Sequence, residues 1–148
     1  MNISSPKDLI KITEKINKII SPGDYIFLFG EIGSGKTTFT RHLVNSLEIK
    51  NKLSESEVLS PTFNIVYEYE INNILIKHFD LYRLRSKDEL NNLGIFDNTE
   101  DIITIIEWPE LIDEKPLNRL ELYFKYAENM EERNLEIYFY GRLKENKF

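Results

Sequence analysis

The apolar residues of this chain change rhythm several times, and each rhythm predicts an element. Leu9, Ile12, Ile16, Ile19 and Ile20 recur at helical spacing behind Ser5, Pro6 and Asp8. The latter three read as an N-cap, a first-turn proline and a capping-box acid, so a first helix is predicted to end near Ser21. After the turn SPGD, the run YIFLF (Tyr25 to Phe29) is apolar throughout, as suits a strand buried on both faces. From Thr37 to about Leu47 a second helix is predicted, with Phe39, Leu43 and Leu47 on one face.

Further on, FNIVYEYEI and ILIKHFDLY are β-rich and separated by Asn72 and Asn73, residues that tolerate the positive φ of a tight turn. They predict a hairpin. Ser86 and Glu89 offer a second capping box, for a short helix that Gly94 closes. ITIIEW is another buried-strand run that ends on a carboxylate, and RLELYFKY, ENMEER and NLEIYFYG read as a closing hairpin with Leu120, Leu122 and Phe124 facing one way. The expected fold is a three-layer α/β domain spanning residues 1–148. Its sheet would have Tyr25 to Phe29 and Ile102 to Ile106 as neighbouring parallel central strands, with the hairpins extending it antiparallel.

The segment between the first strand and the second helix carries the chemistry. In GEIGSGKT, Gly30, Gly35, Lys36 and Thr37 satisfy the pattern G-x-x-x-x-G-K-[ST]. In that pattern loop amides wrap a polyphosphate, the lysine reaches the β and γ phosphates and the hydroxyl serves Mg²⁺. Such a cradle needs a carboxylate at the end of a neighbouring buried strand. Glu107, which ends the continuous apolar run, is favoured near the metal. Asp80 is expected close by, on a strand whose mixed polarity suggests one exposed face. Ser60, Pro61 and Thr62 read as a turn before the first hairpin, His78 as a strand histidine that packs or hydrogen-bonds, and Trp108 as an aromatic placed to feel a nucleotide or a partner.

Composition narrows the partners. The chain has 148 residues, no cysteine, two histidines and a formal net charge of −6. Disulfides and thiolate metal sites are thereby excluded, and a zinc site is disfavoured. Unaided binding to nucleic acid or an anionic membrane is disfavoured too, so any link to RNA is expected through a partner. No apolar run reaches the roughly 18 residues of a membrane span, and the first residues lack a secretory leader, so the expected location is the cytoplasm.

Taken together, GEIGSGKTTFTR, SPTFNIVYEY, HFDLYRL and IIEWPE resemble, in this order, the bacterial TsaE family, whose members assist the threonylcarbamoyl modification of adenosine 37 in certain tRNAs. The resemblance implies a P-loop ATPase that uses ATP and Mg²⁺, hydrolyses slowly alone and works on a complex of TsaB and TsaD, of which TsaD carries the transferase chemistry. It also implies an ATP loop of Gly30, Glu31, Ile32, Gly33, Ser34, Gly35, Lys36, Thr37 and Thr38, with Lys36 on phosphate and Thr37 on the metal. Thr62 would sense the γ-phosphate, Asp80 and Glu107 would serve the metal and the attacking water, and Trp108 would flank the site. SPTF and HFDLYRL are expected on loops near the cradle, as the segments that contact the partner and become ordered.

Rival readings are weaker. A small-molecule kinase wants an acceptor pocket and a lid for which little chain remains, and a GTPase wants N-K-x-D, which no asparagine-lysine pair here completes. A nucleotide-dependent assembly factor with incidental hydrolysis is the non-enzyme alternative.

Overall fold

A computed structural model of the chain describes residues 1–129 and 131–148. The elements are β1 (Asn2–Ile3), α1 (Pro6–Ile19), β2 (Tyr25–Phe29), α2 (Lys36–Lys50), β3 (Val66–Ile71), β4 (Ile74–Asp80), α3 (Lys87–Asn92), β5 (Ile102–Glu107), β6 (Arg119–Tyr126) and β7 (Arg133–Phe139). All seven strands join one sheet in the order β1-β7-β6-β2-β5-β4-β3. At its centre β2 runs parallel to both β5 and β6, because continuous apolar runs are stable only where both faces are covered.

One face of the sheet carries α1 and α2, which pack against each other and bury Ile12, Ile16, Phe39, Leu43 and Val44 over Ile26, Leu28, Ile103 and Ile105. Truncating the fully buried Phe39 to alanine would cost about 3–5 kcal/mol. The opposite layer is thin. There Leu90 of α3, Ile95 and Ile112 cover Tyr25, Phe27, Phe79 and Ile106. Asp24, at the entry to β2, is buried and paired with Arg142, whose Nη2 also donates to the Ile19 carbonyl, so the last residues clamp the end of α1 to the start of the central strand.

The first helix begins as predicted, with Ser5 at the N-cap and the Asp8 carboxylate accepting from the Ser5 amide at 3.0 Å. It stops at Ile19, two residues before the predicted end. At α3 the Ser86 hydroxyl accepts from the Glu89 amide, but the Glu89 carboxylate takes the Arg85 amide, so only half of the second capping box forms.

Three expectations about the sheet are corrected. The hairpins do not extend it purely antiparallel: β4 joins β5 parallel, β6 joins β2 parallel, and of the four hairpin strands only β3 and β7 run antiparallel to the central ones. The more buried strand of each hairpin lies inside, and that choice fixes its direction. Nor does β4 leave a face open near its end, since Ile76, His78, Phe79 and Asp80 are all buried. HFDLYRL is thus not all loop, because His78, Phe79 and Asp80 belong to the strand. The two-residue edge strand β1, paired with β7, had no periodicity to announce it. The predicted turn ENMEER contains Met130, which lies outside the described residues; the flanking strands pair from Leu120 with Phe139 to Tyr126 with Arg133.

Candidate functional site

The site lies at the carboxyl ends of β2, β4 and β5, where an open parallel sheet places its crevice. The chain leaves β2 at Gly30 and reaches α2 through Gly33 and Gly35, with φ of +77° and +115° at the last two, a left-handed region that glycine enters at no steric cost. Gly30 is required for a second reason. A Cβ there would sit 2.5 Å from Ser34 Oγ and 2.8 Å from the Phe124 carbonyl oxygen, so the loop closes only over a bare backbone. Gly35 is the N-cap of α2, whose first amides and positive dipole end therefore face the crevice.

Lys36 is buried, 4% exposed, at the first turn of α2. Its ammonium donates to the carbonyl oxygens of Gly30 and of Glu31, the latter at 3.0 Å, and lies 4.1 Å from the centre of the Trp108 ring. Burial pushes its pKa below the usual lysine value, while the negative fields of Glu107 and Asp80 pull it back. One residue on, the Thr37 hydroxyl lies 3.1 and 3.2 Å from the two carboxylate oxygens of Glu107. The loop and the end of β5 are therefore in direct contact.

Asp80 and Glu107 are register partners on adjacent parallel strands, about 4.8 Å apart along the sheet. Glu107, 2% exposed, also meets His78, whose Nε2 lies 2.7 Å from its Oε2. Asp80, 3% exposed, accepts from the Thr62 hydroxyl at 2.8 Å, the Ser60 hydroxyl at 3.2 Å and the Tyr82 amide at 2.9 Å. Trp108 follows Glu107 with φ 58° and ψ 56°, left-handed for a bulky residue, which turns its ring back over Lys36 and against Tyr82 at 4.8 Å.

These groups surround a cleft of about 390 Å³ lined by Ile32, Gly33, Ser34, Gly35, Lys36, Thr37, Thr38, Ser60, Thr62, Asp80, Tyr82, Glu107 and Trp108. Of the site residues that the family resemblance implies, all line it except Gly30 and Glu31, which hold the Lys36 ammonium through their carbonyls. Ser60 and Tyr82 join the lining, and His78 supports it from below. His78 is the residue that sequence reasoning undervalued. Its signal was the spacing H-x-D on one strand, which puts both side chains on the same face.

The donor set suits a magnesium nucleotide. Among the described residues no three or more His, Cys, Asp or Glu side chains gather into a metal cage. A hydroxyl and two carboxylates beside a loop of amides are nonetheless what Mg²⁺ uses when phosphate oxygens and waters complete its octahedron. The buried Ser34 hydroxyl has no hydrogen-bond partner among the described residues and so keeps hydrogen-bonding capacity in the loop.

The fold and its sequence have known counterparts. The crystal structure of Bacillus subtilis YdiB superposes with a TM-score of 0.72 at 27% identity, over 98% of this chain and 87% of that one. The TsaE protein of Bacillus subtilis is 34% identical over 129 residues, 86% of this chain and 75% of its own length. That of Rickettsia conorii is 33% identical over 110 residues, 74% of this chain but 61% of its own length, so the chain spans about three-fifths of that relative. The model of the family named threonylcarbamoyl adenosine biosynthesis protein TsaE matches residues 3–135, which covers the glycine loop, both carboxylate strands and the whole of the cleft they enclose. By that match, and by the order in which β2, α2, β4 and β5 deliver their residues, the chain belongs to the TsaE family.

Proposed function

We propose that the chain is a Mg²⁺-dependent ATPase that supports the threonylcarbamoyl modification of adenosine 37 in tRNA, acting in the cytoplasm on a complex of TsaB and TsaD as a regulatory or reset factor. The observation that carries this reading is the contact between the Thr37 hydroxyl at the head of the P-loop helix and the Glu107 carboxylate at the end of β5, beside Asp80 on the adjacent strand.

In hydrolysis a water attacks the γ-phosphorus, the bond to the bridging oxygen of ADP breaks, and phosphate and a proton leave. The metal, when bound, supplies neutralisation of the charge that builds on the phosphates. The rest is work for the chain. Loop amides from Gly33 to Thr38 hold phosphate oxygens, and Lys36 exchanges the Gly30 and Glu31 carbonyls for the β and γ phosphates. Thr37, Glu107 and Asp80 hold the metal and orient water, and the Thr62 hydroxyl, now on Asp80, is the group placed to respond to the γ-phosphate.

Slow turnover alone follows from the cations. Arg41 donates to the Val58 carbonyl and Arg83 to the Phe63 carbonyl, and neither they nor Arg85 line the cleft. A partner that supplies an arginine or orders the Thr62 loop would accelerate the reaction on the order of 10³–10⁵-fold. The mouth is suited to docking: Phe63 is 83% exposed and Ile32 68%, beside Tyr82 and Arg83. The partner complex would bring in the tRNA, which the chain's charge does not attract.

The test is steady-state phosphate release with TsaB and TsaD together and with each omitted. Fast hydrolysis by the isolated chain, indifferent to both, would sink the regulated reading. If a non-hydrolysable analogue supports repeated modification cycles, the chain is a nucleotide-dependent assembly factor instead.

A further inference from the structure

His78 is completely buried within β4, in register with Ile105 and two residues before Asp80. Its Nε2 lies 2.7 Å from Glu107 Oε2, and its Nδ1 has no hydrogen-bond partner among the described residues. The Glu107 contact fixes the direction of the hydrogen bond. A Glu107 carboxylate can only accept, so Nε2 carries the hydrogen.

The bond also fixes Glu107. A glutamate has three side-chain torsions, and a carboxylate at a strand end that contacts only Thr37 would sample several of them. The ring of His78 is held by β4, which is hydrogen-bonded to β3 on one side and β5 on the other, so its Nε2–H is a rigid donor from beneath the carboxylate. It engages Oε2, while the Thr37 hydroxyl lies 3.1 Å from Oε1 and 3.2 Å from Oε2, so the carboxylate is held between the strand and the helix. A carboxylate oriented in this way matches the outer-sphere arrangement by which proteins aim ligands at a metal.

We infer that His78 is a positioning residue for Glu107: as an Nε2–H donor it locks the carboxylate in the rotamer that faces the loop of α2. The inference rests on the proposed Mg²⁺-nucleotide site, and it is tested so that the two can fail separately.

The first measurement needs no turnover. Nitrogen-15 spectra of the imidazole in the full chain, with a H78Q control to assign the ring, should show a hydrogen on Nε2. A ring with its hydrogen on Nδ1 and none on Nε2 would overturn the inference whatever the chain hydrolyses. The second measurement compares H78A, H78L and H78Q for Mg²⁺-ATP and Mg²⁺-free ATP binding by calorimetry, for hydrolysis and for Tm. The glutamine amide nitrogen reaches nearly to where Nε2 stood. Loss of the supporting donor should reduce the Mg²⁺-dependent gain in ATP affinity, and kcat, by about 10–100-fold in H78A and H78L, with Mg²⁺-free binding changed less than about 3-fold and H78Q restoring most of the loss. Equal losses in all three variants that follow Tm, or unchanged Mg²⁺ dependence in H78L, would make His78 a packing residue only. Should wild-type protein bind Mg²⁺-ATP but not hydrolyse it, the ATPase reading fails while the spectra and the binding series still decide the role of His78.

Discussion

Asp80 and Glu107 end adjacent strands in register, yet the molecule holds them by opposite means. Glu107 is fixed by Thr37 of a helix and His78 of a strand, and its backbone accepts the Leu81 amide. Asp80 is fixed by the hydroxyls of Ser60 and Thr62, at the end of a stretch from 53 to 61 that has neither helix nor strand. That stretch is tied to the body by the Glu48 carboxylate on Ser56 and by Arg41 on the Val58 carbonyl. The site therefore has a rigid wall and a detachable one. Loops that move in a cycle come from the low-stability end of a structure, and residues 53 to 61 have no helix or strand ladder to break.

The largest effect is expected at Lys36, which both walls share. Lys36→Ala should abolish ATP hydrolysis and weaken nucleotide binding by at least ~10-fold, since a charge-assisted contact to phosphate is worth about 1.5–3 kcal/mol. Calorimetry and phosphate release check it, and retained turnover would remove the lysine from the phosphates. On the rigid wall, Glu107→Ala should cut hydrolysis by roughly 10²–10³ with a smaller change in affinity, because the variant loses charge stabilisation that matters most in the transition state. Normal turnover in that variant would transfer the metal role to Asp80.

Amide hydrogen exchange tests the contrast itself. The amides of Ile103 to Ile106 should exchange at least ~10³-fold more slowly than those of residues 54 to 60, and nucleotide should slow the loop more than the strand. Similar protection in both would erase the distinction. On the detachable wall, Thr62→Ala should lower the partner-stimulated rate about 10-fold more than the basal rate, read by phosphate release with TsaB and TsaD present and absent. Equal losses in both assays would make Thr62 part of the basic site and not of a switch.

The smallest signal is optical. Trp108 is the single tryptophan, it lies over the Lys36 ammonium, and its emission should shift modestly when Mg²⁺ and ATP draw that ammonium away. An unchanged spectrum where calorimetry shows saturation would mean that Lys36 does not move.

Some of this was legible in the chain because it depended on near neighbours. The period of Leu9 to Ile16, the run YIFLF, and Gly30 with Gly35, Lys36 and Thr37 are local signals for a helix, a doubly covered strand and a loop that must approach a ligand closely. Continuous apolar runs also sufficed to place β2 beside β5, since both must be central. The sequence could not say which strand of each hairpin lies inside, because β-pairing joins residues far apart in the chain and direction follows from comparative burial. The misplacement of HFDLYRL has the same origin. The mixed polarity of ILIKHFD reads as one exposed face until Glu107, 29 residues away, gives the His78 ring a partner.

The sequence by itself determined the elements and the cradle, because torsional preference, capping and glycine's positive φ act within a few residues. Only the tertiary structure decided how the two carboxylates are held, one by the core and one by a loop, because a buried charge takes its meaning from whatever donors the fold brings within about 3 Å of it.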